Sequence, residues 1–326
     1  MSSGIFSLNE AHNEQVTGDW STASDVWLIG SPVVSEQGSP YGYFAGAKDP
    51  GGTAERLDYK NDSVTCLWRG KVRYGGRAAA VANQSYGYFC GGSPTGTTNV
   101  DRIDLSNDGI DSVEKGPLTF TLCGGAATGN TDYGYIGGSK EPSDQSHINR
   151  IDYANDTVTA SPKGPLATVL YYTGAAGNPS YGYWTGGLDG PSYTSKVQRL
   201  DFASDTTAAA EKGPLTVAKG QLASTGNSHF GYAGAGTGPS QYSTADRVDY
   251  SSDTATAVAK GPLAAAKRYI AGTGSYDVGY WAGGSPGPVS DVQRLTYASD
   301  TTAGVNRSYL NAATQNATGF SPLANG

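Results

Sequence analysis

The sequence has few of the residues that catalytic and metal sites use most often. Its 326 residues include only three cysteines and three histidines: Cys66, Cys90, Cys123, His12, His147 and His229. An odd number of widely spaced cysteines makes neither a disulfide framework nor a Cys-x-x-Cys metal knuckle, so we expect free, buried thiols. The histidines fall in different parts of the chain, which argues against a copper site and against Ser-His-Asp or Cys-His triads.

Positive charge and long apolar segments are scarce as well. The net charge is -7 and no run of Lys or Arg occurs. Because sequence-independent binding to nucleic acid depends on clustered positive charge, we expect no nucleic-acid partner. No segment approaches the roughly 20 apolar residues of a membrane helix, and MSSGIFSLNEAHNEQ has neither a basic start nor an apolar run. We therefore expect no membrane insertion and no secretion signal.

Glycine and tyrosine are abundant instead. The chain has 47 glycines and 22 tyrosines, and only 16% of its residues are charged. Glycine costs roughly 1 kcal/mol per helical position relative to alanine. This composition favours short strands and tight turns over helices.

A glycine-flanked aromatic segment recurs six times, as in YGYFCGG (86 to 92) and YGYWTGG (181 to 187). Its central glycines are 45 to 49 residues apart: Gly42, Gly87, Gly134, Gly182, Gly231 and Gly279. Each copy precedes a segment such as QRLDFASDT, whose arginines are Arg56, Arg102, Arg150, Arg199, Arg247 and Arg294. Its aspartates are Asp58, Asp104, Asp152, Asp201 and Asp249, and the sixth copy has Thr296. Lys-Gly-Pro-Leu follows in four copies.

A unit of this length with so many turn signals has room for four short strands. Small-residue stretches such as 77 to 84 form the first strand, Tyr-Gly-Tyr the second, Arg-x-Asp the third, and the fourth leads into Lys-Gly-Pro-Leu. Four-stranded antiparallel units repeated at this period predict an all-β fold, a β-propeller. Helical solenoids are excluded because the chain lacks helical periodicity.

The whole chain, residues 1–326, is expected to form one propeller domain. Its repeat units span about 24–72, 73–117, 118–165, 166–214, 215–262 and 263–309. The remainders 1–23 and 310–326 are expected to join as a shared closing blade, with third and fourth strands from 4–20 and first and second strands from 311–322. This ring has seven blades, and six blades is the alternative.

The aromatic strand ending in two glycines, the charged third strand and the short fourth strand resemble kelch repeats along nearly the whole chain. The combination of G-Y-x-x-G-G, R-[ILV]-D-[YF] and K-G-P-L is similar to repeats in tail-associated structural proteins of marine cyanophages. The tryptophan of many kelch fourth strands is missing, and only Trp68 lies near such a position. The resemblance implies a virion protein of a tail or surface appendage, with other virion proteins as partners, made in the host cytoplasm.

The repeated aspartates occupy one slot in every blade, which points to a structural role rather than to the paired carboxylates of a glycosidase. Asp152, Asn155 and Asp156 offer several oxygens to calcium, but an Asx-type turn explains them better. We expect no enzyme activity, no metal and no cofactor. The repeated Arg is expected to pair with the Asp two residues on or with the next blade, so that Arg294, next to Thr296, has another partner or more solvent.

The loops between strands two and three vary most, and loops on a rigid scaffold are the usual place for recognition. Tyr193 and Tyr242 are the aromatic residues there, and tyrosine supplies a stacking face and a hydroxyl. The sequence therefore predicts a non-enzymatic virion structural protein that mediates protein contacts. The alternative is a carbohydrate-binding module for host recognition that uses Tyr193 and Tyr242 on host-surface glycans. A glycan-cleaving enzyme is a further alternative.

Overall fold

The computed structural model describes residues 40–46, 52–73, 76–92 and 95–322. Within these ranges the chain forms six four-stranded sheets that are the blades of a β-propeller. Neighbouring strands of each blade are antiparallel. The six-bladed alternative is therefore confirmed, and the preferred seven-bladed ring is wrong.

The strands of the blades follow one another in chain order. Blade one begins with β1 (Tyr41–Ala45), β2 (Gly52–Asp58) and β3 (Leu67–Val72). Blade two contains β4 (Ala79–Ala82), β5 (Tyr86–Cys90), β6 (Val100–Asp104) and β7 (Val113–Glu114). Blade three contains β8 (Ala126–Gly129), β9 (Tyr133–Ser139), β10 (Gln145–Asp152) and β11 (Ser161–Lys163).

Blade four carries an extra two-stranded hairpin after its second strand. Its strands are β12 (Gly174–Gly177), β13 (Tyr181–Thr185), β14 (Leu188–Asp189), β15 (Ser192–Tyr193), β16 (Val197–Asp201) and β17 (Ala210–Lys212). Blade five contains β18 (Ala223–Gly226), β19 (Phe230–Gly234), β20 (Ala245–Asp249) and β21 (Val258–Lys260). Blade six contains β22 (Ala271–Gly274), β23 (Val278–Ala282), β24 (Val289–Thr296) and β25 (Val305–Thr314).

A C-terminal strand completes blade one. β26 (Thr318–Phe320) pairs with β1, with Phe320 opposite Tyr43, and becomes the innermost strand of that blade. Residues 311–314, predicted to begin a seventh blade, instead extend β25. The predicted closing blade does not form because β26 pairs with the inner edge of β1. This pairing completes blade one and leaves no strand edge there for a seventh blade to cover. Residues 4–20 lie outside the described part of the chain.

The repeated aromatic strand is packed between two blades. In β13, Tyr183 lies opposite Arg199 and is directed toward blade five, where its hydroxyl donates to Asp253. Trp184 faces blade three, and its Nε1 donates to the carbonyl of Ala126 at 3.2 Å. Glycine at position 182 lets blade four pack this closely against blade three, because a Cβ there would lie only 2.6 Å from Cγ2 of Thr128. The alternating pattern thus places one hydrophobic core at each blade interface.

Candidate functional site

A carboxylate at each blade interface binds three side chains of the preceding blade. Asp253 of blade five accepts hydrogen bonds from the Tyr183 hydroxyl at 2.9 Å and from Arg199 Nη1 at 2.7 Å, and Lys212 Nζ lies 3.3 Å away. The same position at the six interfaces holds what we call the hub aspartates: Asp62, Asp108, Asp156, Asp205, Asp253 and Asp300. All six are at least nine-tenths buried. The hub aspartates therefore hold the ring together.

The aspartate two residues after each repeated arginine has a different and local role. Its side chain accepts a hydrogen bond from the backbone N–H two residues on, at 2.9 or 3.0 Å, in the turn after strand three. These turn aspartates are Asp58, Asp104, Asp152, Asp201 and Asp249. The arginines bind the next blade instead.

Arg294 binds its blade neighbour as the other repeated arginines do. Its Nη1 lies 2.8 Å from Asp62, so the expected change of partner is not found. Its side chain is 28% exposed, against 19% to 25% for the other five repeated arginines, so the expected greater exposure is found but is small. The missing turn aspartate at Thr296 has no effect on the pairing because that aspartate is not the partner of the arginine in any blade described.

The oxygens considered for calcium are directed at protein donors. Asp152 accepts from the N–H of Ala154, and Asp156 accepts from Tyr88 and Arg102. Asp152 thus makes an Asx-type turn, and Asp156 is a hub aspartate. Across the described ranges, no group of three or more His, Cys, Asp or Glu side chains is arranged to hold a metal ion.

Two hub aspartates have a shifted acidity. Burial by itself raises the pKa of Asp205, but hydrogen bonds from Tyr135 and Lys163 and the charge of Arg150 outweigh it, so the pKa lies below its ordinary value. The pKa of Asp62 is lowered in the same way, against burial, chiefly by hydrogen bonds from Arg307 and Tyr280. The ionised form is therefore favoured in the folded protein.

We expect the melting temperature to fall in acid. A carboxylate whose pKa is depressed on folding stabilises the protein fully above its unfolded pKa, about 3.9, and this contribution is lost as the pH falls through the folded pKa. The melting temperature should therefore be nearly constant from pH 7 to about 5 and should fall below about pH 4. The Asp205→Asn variant should have a lower melting temperature than the wild type at pH 7. Its melting temperature should fall less than that of the wild type when the pH is lowered, as measured by circular dichroism. An equal acid loss in both proteins contradicts this assignment.

The cysteines and two of the histidines lie apart from one another. All three cysteines are free and buried, which confirms the prediction, and burial raises the pKa of the Cys66 thiol to about 12. His147 is exposed and its Nδ1 contacts Gln145, while His229 contacts Ser228. His12 lies outside the described residues. No shared site of these residues is present in the described part.

The predicted binding tyrosines lie on the face that carries the loops between strands two and three. Tyr193 is half-buried in β15, in a hairpin held by a 2.6 Å hydrogen bond from the Tyr171 hydroxyl to the carbonyl of Gly190. Tyr242 is also half-buried and its N–H donates to the carbonyl of Gly236. The two residues belong to different blades, and no contact found in the described residues joins them.

The same face contains a closed ring of six residues around the propeller axis, one just before each innermost strand. Each N–H donates to the carbonyl of the residue in the preceding blade, at 2.5 to 3.0 Å. We call these the axial ring: Arg77, Gly124, Tyr172, Gln221, Tyr269 and Asn316. Bridges between Gly220 and Thr237 and between Arg268 and Ser285 join the ring segments to the variable loops.

All six residues of the axial ring have a left-handed backbone, with φ between +50° and +74°. Among the described residues, only Ala235 is a further non-glycine residue with positive φ. This conformation costs a residue with a side chain roughly 1–2 kcal/mol, and such strain is concentrated at functional sites. Gly124 occupies the ring without this penalty. The five other residues of the axial ring therefore adopt this backbone conformation at a cost in free energy relative to glycine.

The side chains of the ring approach one another across blades. The Arg77 guanidinium carbon lies 5.7 Å from the ring centroid of Tyr172, which makes an edge contact with Tyr269 at 5.8 Å. Gln221 is 91% buried, its relative exposure being 9%, and its Oε1 has no hydrogen-bond partner. Oδ1 of Asn316 is likewise buried and unpaired. An unpaired buried amide is costly unless something else binds it.

The axial ring is the mouth of a cavity along the propeller axis. The cavity has a volume of about 100 Å³ and is lined below the ring by small residues such as Ala79, Ala126 and Ala223. The small-residue composition of the first strands, visible in the sequence, is what leaves this space open. The sequence did not reveal the ring, because its six residues are of five different types and all six share only their backbone conformation and their position two residues before a first strand.

A second surface with unusual composition lies on the outer strands of blades six, one and two and on the turns that precede them. Of the ten exposed large hydrophobic side chains in the described ranges, seven are here, and we call them the outer-edge patch: Val64, Leu67, Trp68, Ile110, Val113, Val305 and Tyr309. Trp68 is 61% exposed. Backbone contact links the blades at this edge, since the Cys66 N–H donates to the carbonyl of Tyr309 at 2.8 Å.

No family model matches the sequence, and no curated protein matches it. Among the described residues there is no helix of sufficient length and hydrophobicity to span a membrane.

Proposed function

We propose that this propeller is a non-enzymatic structural protein of a phage particle, located in a tail, fibre or capsid appendage, and that it joins other virion proteins. The observation that carries the proposal is the outer-edge patch. Exposed large apolar side chains that are grouped on neighbouring blades indicate an interaction surface, and Trp and Tyr are among the residues that contribute most at protein interfaces. The resemblance of the repeats to those of cyanophage structural proteins supports the virion as the place of assembly.

The repeated polar residues favour a scaffold over an enzyme. Hub aspartates, repeated arginines and the tyrosines of strand two bind one another at the blade interfaces. Catalytic carboxylates need a substrate within reach and a pKa suited to proton transfer. The hub carboxylates have protein donors on their oxygens and are nearly inaccessible. Their chemistry is thus used for holding the blades in register.

Replacing Leu67 by glutamate is expected to remove the protein from particles. The change places a charge in the centre of the outer-edge patch, and an interface residue worth about 2 kcal/mol changes affinity by about 30-fold. We expect at least a tenfold lower number of copies per purified particle, measured by quantitative mass spectrometry, with an unchanged melting temperature. Trp68→Ala should act in the same direction.

Val258→Glu is the matched control. Val258 and Leu67 occupy the same position of the outer strand, opposite Arg247 and Arg56, and each is 52% exposed. Val258 lies in blade five, outside the outer-edge patch, so its variant should be incorporated within twofold of the wild type. Particles that contain Leu67→Glu at the wild-type level contradict the role of the patch. Particles without the wild-type chain contradict the virion assignment itself.

Carbohydrate binding for host recognition is the second candidate. Its support is the position of Tyr193 on a hairpin fixed by Tyr171, where a half-buried ring can stack on a sugar face. Tyr193→Ala and Tyr242→Ala, made together, should abolish binding to any host-surface glycan that the wild type retains on an array. Binding that survives both changes removes this site from the proposal.

A further inference from the structure

The axial ring has the composition of a ligand site that the assembly role does not use. Arg77 lines the cavity mouth, and its guanidinium carbon lies 5.7 Å from the ring centroid of Tyr172. Gln221 and Asn316 also line the mouth and bring buried amide oxygens without partners. All three are ring members with a left-handed backbone. The side chains thus converge on one cavity although a glycine is easier to accommodate at each position.

The chemistry of the mouth selects the ligand class. A guanidinium group binds carboxylates with two parallel hydrogen bonds, so Arg77 favours an anionic ligand. The amide oxygens of Gln221 and Asn316 need donors, which a carboxylate alone lacks and hydroxyl groups supply. The faces of Tyr172 and Tyr269 suit the C–H surface of a sugar ring. A cation is disfavoured because the positive charge of Arg77 repels it.

We propose that the axial ring binds a polyhydroxylated carboxylate, that is, a sugar acid. Its carboxylate pairs with Arg77 and its hydroxyl groups donate to Gln221 and Asn316. The cavity of about 100 Å³ is several times larger than the roughly 10–15 Å³ that one water molecule needs, so it admits one end of a single sugar. The ligand is therefore a free sugar acid or the terminal residue of an acidic polysaccharide.

Titration calorimetry of the full chain with four probes tests the proposal. D-glucuronate carries both groups, D-glucose lacks the carboxylate, and acetate lacks the hydroxyl groups. We expect saturable binding of glucuronate and at least tenfold weaker binding of glucose and of acetate. A tetragalacturonide distinguishes the two sources of the ligand. If it binds at least as tightly as glucuronate, the ligand is the end of an acidic polysaccharide chain. If it does not bind, the ligand is the free sugar acid.

Glycine variants remove the side chains without disturbing the ring, since Gly124 already occupies it at φ +74°. Arg77→Gly should weaken glucuronate binding at least tenfold, to the level of glucose. Gln221→Gly should weaken both sugars and leave acetate unchanged. Tyr276→Ala, at an exposed tyrosine in the turn between β22 and β23, is the control and should bind as the wild type does.

Three results overturn the proposal. The first is the absence of saturable glucuronate binding to the wild-type chain. The second is equal glucuronate affinity in the wild type and in Arg77→Gly, when both have the same melting temperature. Equal affinity of the wild type for glucose and glucuronate removes the requirement for an acid and overturns the ligand class.

Discussion

Asp253→Ala is expected to lower the free energy of unfolding by about 3 kcal/mol. The change leaves Arg199, Lys212 and the Tyr183 hydroxyl at the interface of blades four and five without their shared acceptor. Removing one partner of a buried ion pair costs roughly 3–5 kcal/mol, and the lower end applies because the Arg199 side chain is 25% exposed. The melting temperature should fall by about 4–5 °C, measured by calorimetry, because the entropy of unfolding is about 2.1 cal/mol/K per residue.

Asp249→Ala is the control, because Asp249 lies four residues before Asp253 in the same turn. Asp249 accepts hydrogen bonds only locally, from the N–H and the hydroxyl of Ser251. A side chain that caps a turn in this way contributes about 1 kcal/mol. If the two alanine variants are equally destabilised, the hub aspartates do not hold the ring as inferred.

This contrast defines how much of the blade interface could be predicted. The sequence repeats Asp249 and Asp253 with the same period, and local turn chemistry explains Asp249. The partners of Asp253 lie about 41 to 70 residues earlier, in the preceding blade, where no local pattern indicates them. The repetition thus predicts that the arginine and the two aspartates have structural roles. Which aspartate accepts the hydrogen bond from which arginine depends on how neighbouring blades pack, and the sequence does not show this.

The fold class followed from the repeat, whereas the number of blades did not. Six copies of the aromatic strand predict six blades, and the incorrect seventh came from assigning the terminal residues to strands. β26 has only three residues, and its pairing with β1 joins positions about 275 residues apart. Such pairing depends on which strand edge is open, which local propensity does not determine.

The variable face was predicted from loop irregularity, and Tyr193 and Tyr242 lie on it. The axial ring lies on the same face but was not predicted, because Arg77, Tyr172 and Gln221 have no residue type in common. Their shared feature is a backbone conformation set by hydrogen bonds between blades. The residue types that repeat, such as the hub aspartates and their arginines, hold the blades together, whereas the residue type varies from blade to blade at the ring positions proposed to bind a ligand.

Phe320 provides the second large effect, because it closes the ring. Its side chain is 4% exposed and contacts Tyr43 of blade one and Phe89 of blade two, with ring centroids 5.2 and 5.3 Å apart. At the next interface the equivalent partner of Tyr88 is Tyr153, but blade two has Leu105 at that position. Phe320 therefore supplies the aromatic contact that the repeat lacks here.

Phe320→Ala is expected to lower the free energy of unfolding by about 3–5 kcal/mol in a urea titration, the usual cost of removing a buried phenylalanine. Because β26 has only three residues, losing this anchor should also release it from β1, so limited proteolysis should cleave the C-terminal segment before the blades unfold. The Phe320→Leu variant, which keeps most of the side-chain volume, should lose less stability and should remain resistant to the protease. If Phe320→Ala resists the protease as the wild type does, the backbone pairing of β26 with β1 closes the ring without the side chain.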